Sequence, residues 1–253
     1  MTARPGVPRA ARADWEALGR PAATPPAPVD PAGLDRLPGP ARRWLARAVP
    51  PGTPAWPAAE LTMEGRIRLG GTWRRFTARQ VVAPGRGFVW VARTRLFALP
   101  VTGFDRYGAA GGQMSWRLLG VVPVLSAAGP DVSRSAAGRL AGEAVTVPTA
   151  CLRADWAAGP EPDTATMSWT LGGEREDCVL RVDPEGRLQE LRMQRWGNPD
   201  GAPFGRHPFR VALSEEAVFS GVRVPTVLRA AWGPGSAPED EFFRARIGAV
   251  SFR

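Results

Sequence analysis

Leu61-Thr62-Met63-Glu64-Gly65-Arg66-Ile67-Arg68-Leu69, then Gly70-Gly71, then Thr72-Trp73-Arg74-Arg75-Phe76-Thr77-Ala78-Arg79-Gln80-Val81-Val82 is the stretch that decides the fold. Leu61, Met63, Ile67 and Leu69 alternate with Thr62, Glu64, Arg66 and Arg68, a period of two that marks a half-buried strand. Gly70-Gly71 fits a two-residue hairpin turn, whose central residues need positive φ. The return run Thr72–Val82 alternates as well, so the unit is a β-hairpin.

Downstream, strands are predicted at 87–98, 100–107, 112–119, 164–171, 175–182, 187–195, 208–213, 215–230 and 241–250. Gly172-Gly173 and Asp183-Pro184-Glu185-Gly186 supply clear turns between them. The rhythm breaks at Val132–Val147, where Ala136, Leu140 and Ala144 have helical spacing. Hairpins in succession, without βα alternation, imply an antiparallel sheet. About ten strands do not stay flat and open, so the sheet curls. The expected fold is mainly β: a strongly curved antiparallel half-barrel or cup with one internal capping helix and a short N-terminal helix.

Upstream the character changes. Thirteen of the 27 prolines fall within residues 1–60, with clusters at Pro25-Pro26-Ala27-Pro28 and Pro50-Pro51. Residues 1–33 read as a Pro/Ala/Arg-rich mobile arm with one amphipathic turn around Ala10–Gly19. Residues 34–253 read as a single β-rich domain, entered through a short helix at Pro40–Ala48 with Pro40 in its first turn.

Composition excludes several chemistries. All 33 basic residues are arginine, against 24 acids, giving a net charge of +9. The absence of lysine, with single Tyr, Asn and His residues, points to a GC-rich genome. One histidine cannot build a multi-histidine metal site, and Cys151 and Cys178 cannot make a four-cysteine one, so no metal is expected. No apolar run reaches the ~18–20 residues of a membrane-spanning helix, and no apolar segment of a secretory signal follows the first arginines. The two cysteines then read as reduced thiols and the location as cytoplasmic.

Motif chemistry is sparse. Gly108-Ala109-Ala110-Gly111-Gly112 has no lysine and lies between strands, which suits a hairpin loop and not a phosphate cradle. There is no Gly-x-Ser-x-Gly, and His207 sits beside Pro208 in a turn-like setting. No cofactor is expected. On a strand, Trp73 and Arg75 share one face while Arg74 and Phe76 share the other, so no clean basic face forms there and nucleic acid is not an expected partner. The carboxylates are the remaining catalytic candidates. Asp105 lies within a strand, and Glu143 follows Arg139 by four residues on the internal helix, the spacing of an ion pair. If that helix caps the sheet, Glu143 points into the cup, where a carboxyl can serve as general acid or base.

Ten tryptophans are the more informative excess. Either they fill a core of large side chains, or some of them line an apolar cavity. The candidate ligand-binding residues are Trp90, Trp116, Trp169 and Tyr107 along the cup, with Arg139 and Glu143 at its mouth.

Trp73-x2-Phe76-x-Ala78-x-Gln80, Gly87-Phe88-Val89-Trp90-x-Ala92, Asp105-x-Tyr107 and Leu118–Val124 occur in that order. Arg139-x3-Glu143-x4-Pro148-Thr149-Ala150, Trp156, Gly221-Val222-Arg223-Val224-Pro225 and Trp232 follow. Together, from Leu37 nearly to the C-terminus, they resemble a bacterial domain-of-unknown-function family. The resemblance implies a curved sheet similar to the lipoprotein-carrier cups, which bind acyl chains. Relatives often begin with a membrane-anchoring apolar helix, where this chain has its Pro/Arg-rich arm. Three functions remain open. One is a cytoplasmic binding module for a small apolar or acyl-type ligand. Another is a metal-independent enzyme using Glu143 or Asp105. The third is a structural protein with a filled cup, whose arm meets a partner. Oligomeric state is left open.

Overall fold

In a computed structural model the structure describes residues 5–21, 23–233 and 240–253. The deciding hairpin forms as β1 (Ala59–Leu69) and β2 (Thr72–Ala83), with Gly70 and Gly71 both at positive φ. The chain continues as β3 (Gly87–Leu96), β4 (Leu99–Gly108), β5 (Gly111–Leu118) and β6 (Val122–Ala128). Then come a helix α4 (Pro130–Glu143), a short turn of helix and α5 (Pro148–Cys151). The second half is β7 (Asp155–Ala158), β8 (Thr164–Leu171), β9 (Glu174–Val182) and β10 (Leu188–Gly197), followed by β11 (Gly205–Phe219), β12 (Val222–Trp232) and β13 (Glu241–Phe252).

All thirteen strands join one antiparallel sheet in the order β6-β5-β4-β3-β2-β1-β13-β12-β11-β10-β9-β8-β7. The two halves are each a meander, joined where β1 pairs with β13. The sheet curls into a half-barrel, and α4 runs inside it, packed against β3, β4 and β5 of one wing and β9 and β10 of the other. Ala137, Gly138, Leu140 and Ala141 are its buried side, and three of these four are small enough to let the helix sit deep between the wings.

The strand count is thirteen where about ten were expected. The runs expected at 208–213 and 215–230 are two strands with a shifted boundary: β11 continues to Phe219, and the break comes at Ser220-Gly221, both at positive φ. β6 and β7 escaped the period-two reading because both are edge strands. β6 carries Pro123 and is exposed along nearly its whole length, so no buried face imposes alternation on it. The helix expected over Val132–Val147 begins at Pro130 and ends at Glu143.

The expected arm also needs correction, apart from residues 1–4 and 22, which lie outside the described residues. Arg9–Gly19 forms α1, whose Ala11, Trp15 and Leu18 are buried against Val81, Val89, Val91 and Phe104 on the outer face of β2, β3 and β4. The Arg79 guanidinium lies 4.9 Å over the Trp15 ring, and Arg106 forms an ion pair with Asp14. Prolines flank this helix but do not enter it, so its apolar stripe at positions 11, 15 and 18 stays intact. A shorter helix α2 (Pro31–Asp35), capped by the Asp30 carboxylate, leads into α3 (Gly39–Ala48).

Cys151 and Cys178 are both free and buried, and burial pushes both thiols well above their ordinary range. The native protein should therefore leave a thiol-reactive disulfide reagent such as DTNB unreacted, and release two equivalents once unfolded. Rapid labelling of the native protein would contradict this packing.

Candidate functional site

The inner face carries a polar network built from four elements. From α4, the Arg139 guanidinium donates to Glu143 Oε1 (2.7 Å) and across to Asp105 Oδ2 on β4 (2.9 Å). Trp116 Nε1 on β5 donates to Asp105 Oδ1 (2.9 Å), and Gln80 Nε2 on β2 donates to Glu143 Oε2 (2.5 Å). α4 reaches this position because β6 returns the chain to the end of the sheet where β5 begins. There the Ser133 hydroxyl accepts the Gly112 N–H (2.8 Å) and ties the first helical turn to β5. The guanidinium also lies 4.6 Å over Phe88 and 5.1 Å over Trp90.

Burial raises the Asp105 carboxyl above its ordinary value, even though Arg139 and the Trp116 hydrogen bond pull it down. For Arg139, burial opposes the charge, but Glu143 and Asp105 outweigh it and hold the guanidinium above its usual range. Each of the four carboxylate oxygens of Asp105 and Glu143 already accepts a hydrogen bond from the protein. That is the arrangement of a structural network. Each oxygen keeps a second lone pair, and the Glu143 side chain is 24% exposed, so acid/base chemistry here needs a substrate that reaches Glu143 from the concave side.

Next to the network lies a continuous layer of rings. Trp90 meets Phe76 and Trp116, each with ring centroids 5.6 Å apart, and Phe76 stacks on Phe243 at 5.2 Å. Through Phe242 the layer reaches Trp232 and then Phe209, whose centroids are 5.0 Å apart. Two glycines let the indoles lie against the sheet. A Cβ on Gly103 would stand 2.6 Å from the Trp116 ring, and one on Gly197 would stand 2.6 Å from Trp232. Trp90, Phe76 and Phe209 are buried, whereas Trp116, Trp232, Phe242 and Phe243 are half-buried, as are Met63, Ile67 and Leu228 on the same face.

Arg195, on β10, stands at the edge of this layer. Its guanidinium lies 4.8 Å over Phe209 and 5.2 Å over Trp232, and it donates to the Ser135 carbonyl oxygen (3.3 and 3.4 Å). Burial, with repulsion from Arg139, brings Arg195 down to about 10. Sequence reasoning missed it, along with Phe209, Phe242, Phe243 and the placement of Trp232. A signal was present: Leu191, Met193 and Arg195 occupy alternate positions, so an arginine stands in phase with two buried apolar residues.

The residues singled out from sequence thus fall into two groups. Trp90, Trp116, Asp105, Arg139 and Glu143 come together. Tyr107 and Trp169 lie at the other end of the half-barrel, where the β8–β9 hairpin closes on the β2–β3 and β4–β5 turns. A Cβ on Gly85 would meet the Trp169 ring at 3.2 Å, and one on Gly172 would meet the Tyr107 hydroxyl at 3.1 Å. A cleft of about 450 Å³ opens there, lined by Tyr107, Arg86, Ser133, Arg134, Thr170 and Glu174 among others. Burial raises the Tyr107 phenol above its ordinary value. Arg139 and Glu143 stand inside the concavity and not at its mouth. Among the described residues no group of His, Cys, Asp and Glu is placed to hold a metal ion, and no helix is long and apolar enough to cross a membrane.

The chain belongs to the family of unknown function DUF6544, whose profile matches residues 27–245. Among solved structures, it is similar to a LolA superfamily protein from Nitrosomonas europaea, with 9% identity, a TM-score of 0.44, and coverage of 85% of this chain and 92% of that one. It is also similar to a DUF1329 family protein from Desulfovibrio piger, with 12% identity, a TM-score of 0.36, and coverage of 88% and 94% respectively. No curated protein sequence matches it.

Proposed function

We propose that this member of the family is a binding module, working in the cytoplasm, that holds a small apolar or acyl-type ligand on the concave face of its sheet. The observation that carries the reading is the half-buried aromatic layer converging on Arg195. Trp116, Trp232, Phe242 and Phe243 offer apolar area on the inner face, and small-molecule sites are built mostly of such area with a few placed polar groups. Arg195 gives its hydrogen bonds to a carbonyl oxygen, so its charge is positioned to meet a carboxylate or similar head of an acyl chain. Two buried free cysteines fit a reducing compartment.

Native mass spectrometry of detergent-free protein, followed by organic extraction, is the first test. A bound small molecule released on denaturation supports the reading and identifies the ligand class. Fatty-acid titration of Arg195→Gln and Trp116→Ala then locates it. Loss of a charge-assisted hydrogen bond should weaken binding about tenfold or more in Arg195→Gln. An apo mass combined with no fatty-acid binding by the wild type would overturn the proposal.

A further inference from the structure

The end of the half-barrel opposite the 450 Å³ cleft carries a feature that ligand binding does not use. In a meander every second turn falls at the same end, so the β1–β2, β3–β4 and β5–β6 hairpins all have their tips there. The tips expose apolar side chains. Phe97 is 81% exposed and Val121 66%, and Leu69, Leu99, Leu119 and Val122 are exposed with them.

Two of these residues also hold unfavourable backbone. Phe97 and Ala98 form the two-residue loop between the paired Leu96 and Leu99, with φ of 47° and 67°, and Leu119 has φ of 54°. Such turns ordinarily take Asn or Gly, as Gly70-Gly71 does in the neighbouring hairpin. Bulky apolar residues in the left-handed region and in water are unfavourable twice over, which points to a role for the side chains themselves.

Behind the tips arginines gather. Arg66, Arg74, Arg75, Arg93, Arg95 and Arg117 occupy the ends of β1, β2, β3 and β5, and stretches 65–76, 91–104 and 112–130 contain no acid. Arg66 stands directly opposite Arg75 on one side and Arg244 on the other, and Arg244 stands opposite Arg229. Like charges directly across strands are destabilising unless something anionic meets them. Among the described residues Glu241 pairs with Arg244 and Arg229.

We infer that this end docks on an anionic lipid bilayer, with the Phe97–Leu99 and Leu119–Val122 tips inserted and the arginines against the headgroup phosphates. The spacing suits that layering. Arg95 and Arg93 lie two and four residues behind Phe97, and Arg117 two behind Leu119. At ~3.3 Å per residue this places the charges roughly 7–13 Å behind the tips. Apolar faces of surface-bound elements sink about 5–10 Å to the headgroup–acyl boundary. A folded acidic partner would meet the arginines but offers no apolar layer beyond them. The inference does not rest on the ligand reading.

Flotation of the full-length protein with two vesicle types tests it: phosphatidylcholine alone, and phosphatidylcholine mixed with phosphatidylglycerol. The wild type should float only with the anionic vesicles and be released by high salt. Arg93→Gln/Arg95→Gln and, separately, Phe97→Ser/Val121→Ser should each lower partitioning about tenfold or more. All four positions are exposed, and unchanged circular dichroism would show that folding is intact. No flotation, equal flotation with both vesicle types, or variants that bind as the wild type does would each overturn the inference. So would a dimer closed through the exposed edge of β6, seen by sedimentation without vesicle binding.

Discussion

Replacing Trp90 by alanine should destabilise the protein by about 3–5 kcal/mol, the range for removing a large buried aromatic side chain. Trp90 is 3% exposed and sits where four features meet: edge-on to Phe76, tilted against Trp116, within 6.3 Å of Phe243, and beneath the Arg139 guanidinium. Its backbone neighbours across the ladder are Gln80 and Asp105, so a cavity there would open beside the polar network. Trp90→Phe should cost far less, under about 2 kcal/mol, because the indole N–H it removes has no acceptor among the described residues. Urea unfolding of the two variants checks the pair. A loss below about 1 kcal/mol for Trp90→Ala would mean the aromatic layer is not packed as described. The same burial makes Trp90 a poor probe of ligand contact, which is why Trp116, half-buried in the same layer, is the position for that test.

Arg139→Met should cost about 3–5 kcal/mol at neutral pH, since it leaves the Asp105 and Glu143 carboxylates facing the interior without their shared cation. The size of the loss should depend on pH, with a sign fixed by Asp105. Its folded-state carboxyl is already raised above the ordinary value, so the folded protein binds that proton more tightly than the unfolded chain does. Its contribution to stability is therefore greatest in acid and declines as pH climbs from the unfolded carboxylate range through the raised folded value. Removing Arg139 takes away the main opposing pull and moves that decline to higher pH. The variant should approach the wild type in acid and fall furthest behind it near neutrality. Adding Asp105→Asn to Arg139→Met should recover part of the loss, because a neutral amide replaces the stranded charge and can still accept from Trp116. A loss independent of pH, or no recovery in the double variant, would show that Asp105 and Arg139 are not coupled as the 2.9 Å contact implies.

The sheet was legible because alternation is a local property. Leu61–Val82 announces a hairpin, and eleven of the thirteen strands carry a buried face that imposes the same rhythm. β6 lacks that signal because edge exposure removes the selection for alternating side chains, and Pro123 is harmless there. α1 was legible only as a local amphipathic turn. Its docking on the outer face depends on Val81, Val89, Val91 and Phe104, residues 63 or more positions away, and proline content nearby gives no hint of it.

The polar network divides in the same way. The Arg139–Glu143 pair follows from spacing on one helix, so sequence alone contains it. That Gln80, Asp105 and Trp116 complete it depends on β2, β4 and β5 presenting those residues to the same concavity. Arg195 is the sharpest case: alternation puts it in phase with Leu191 and Met193, the pairing of β10, β11 and β12 sets it over Phe209 and Trp232, and only the packing of that wing on α4 brings it to Ser135 and near Arg139.

By itself, the sequence determined an antiparallel β protein that must curl, with a helix between its two runs of strands and no residues for a metal centre of several histidines or cysteines. Those outcomes follow from period, length and composition, which act within a few residues or over the whole chain. Only the tertiary structure decided which tryptophans are core and which are half-open, and that four carboxylate oxygens are occupied. It alone gathered six arginines behind three apolar tips. Each of these depends on strand order and on the direction of curl, and so on contacts between residues far apart in the chain.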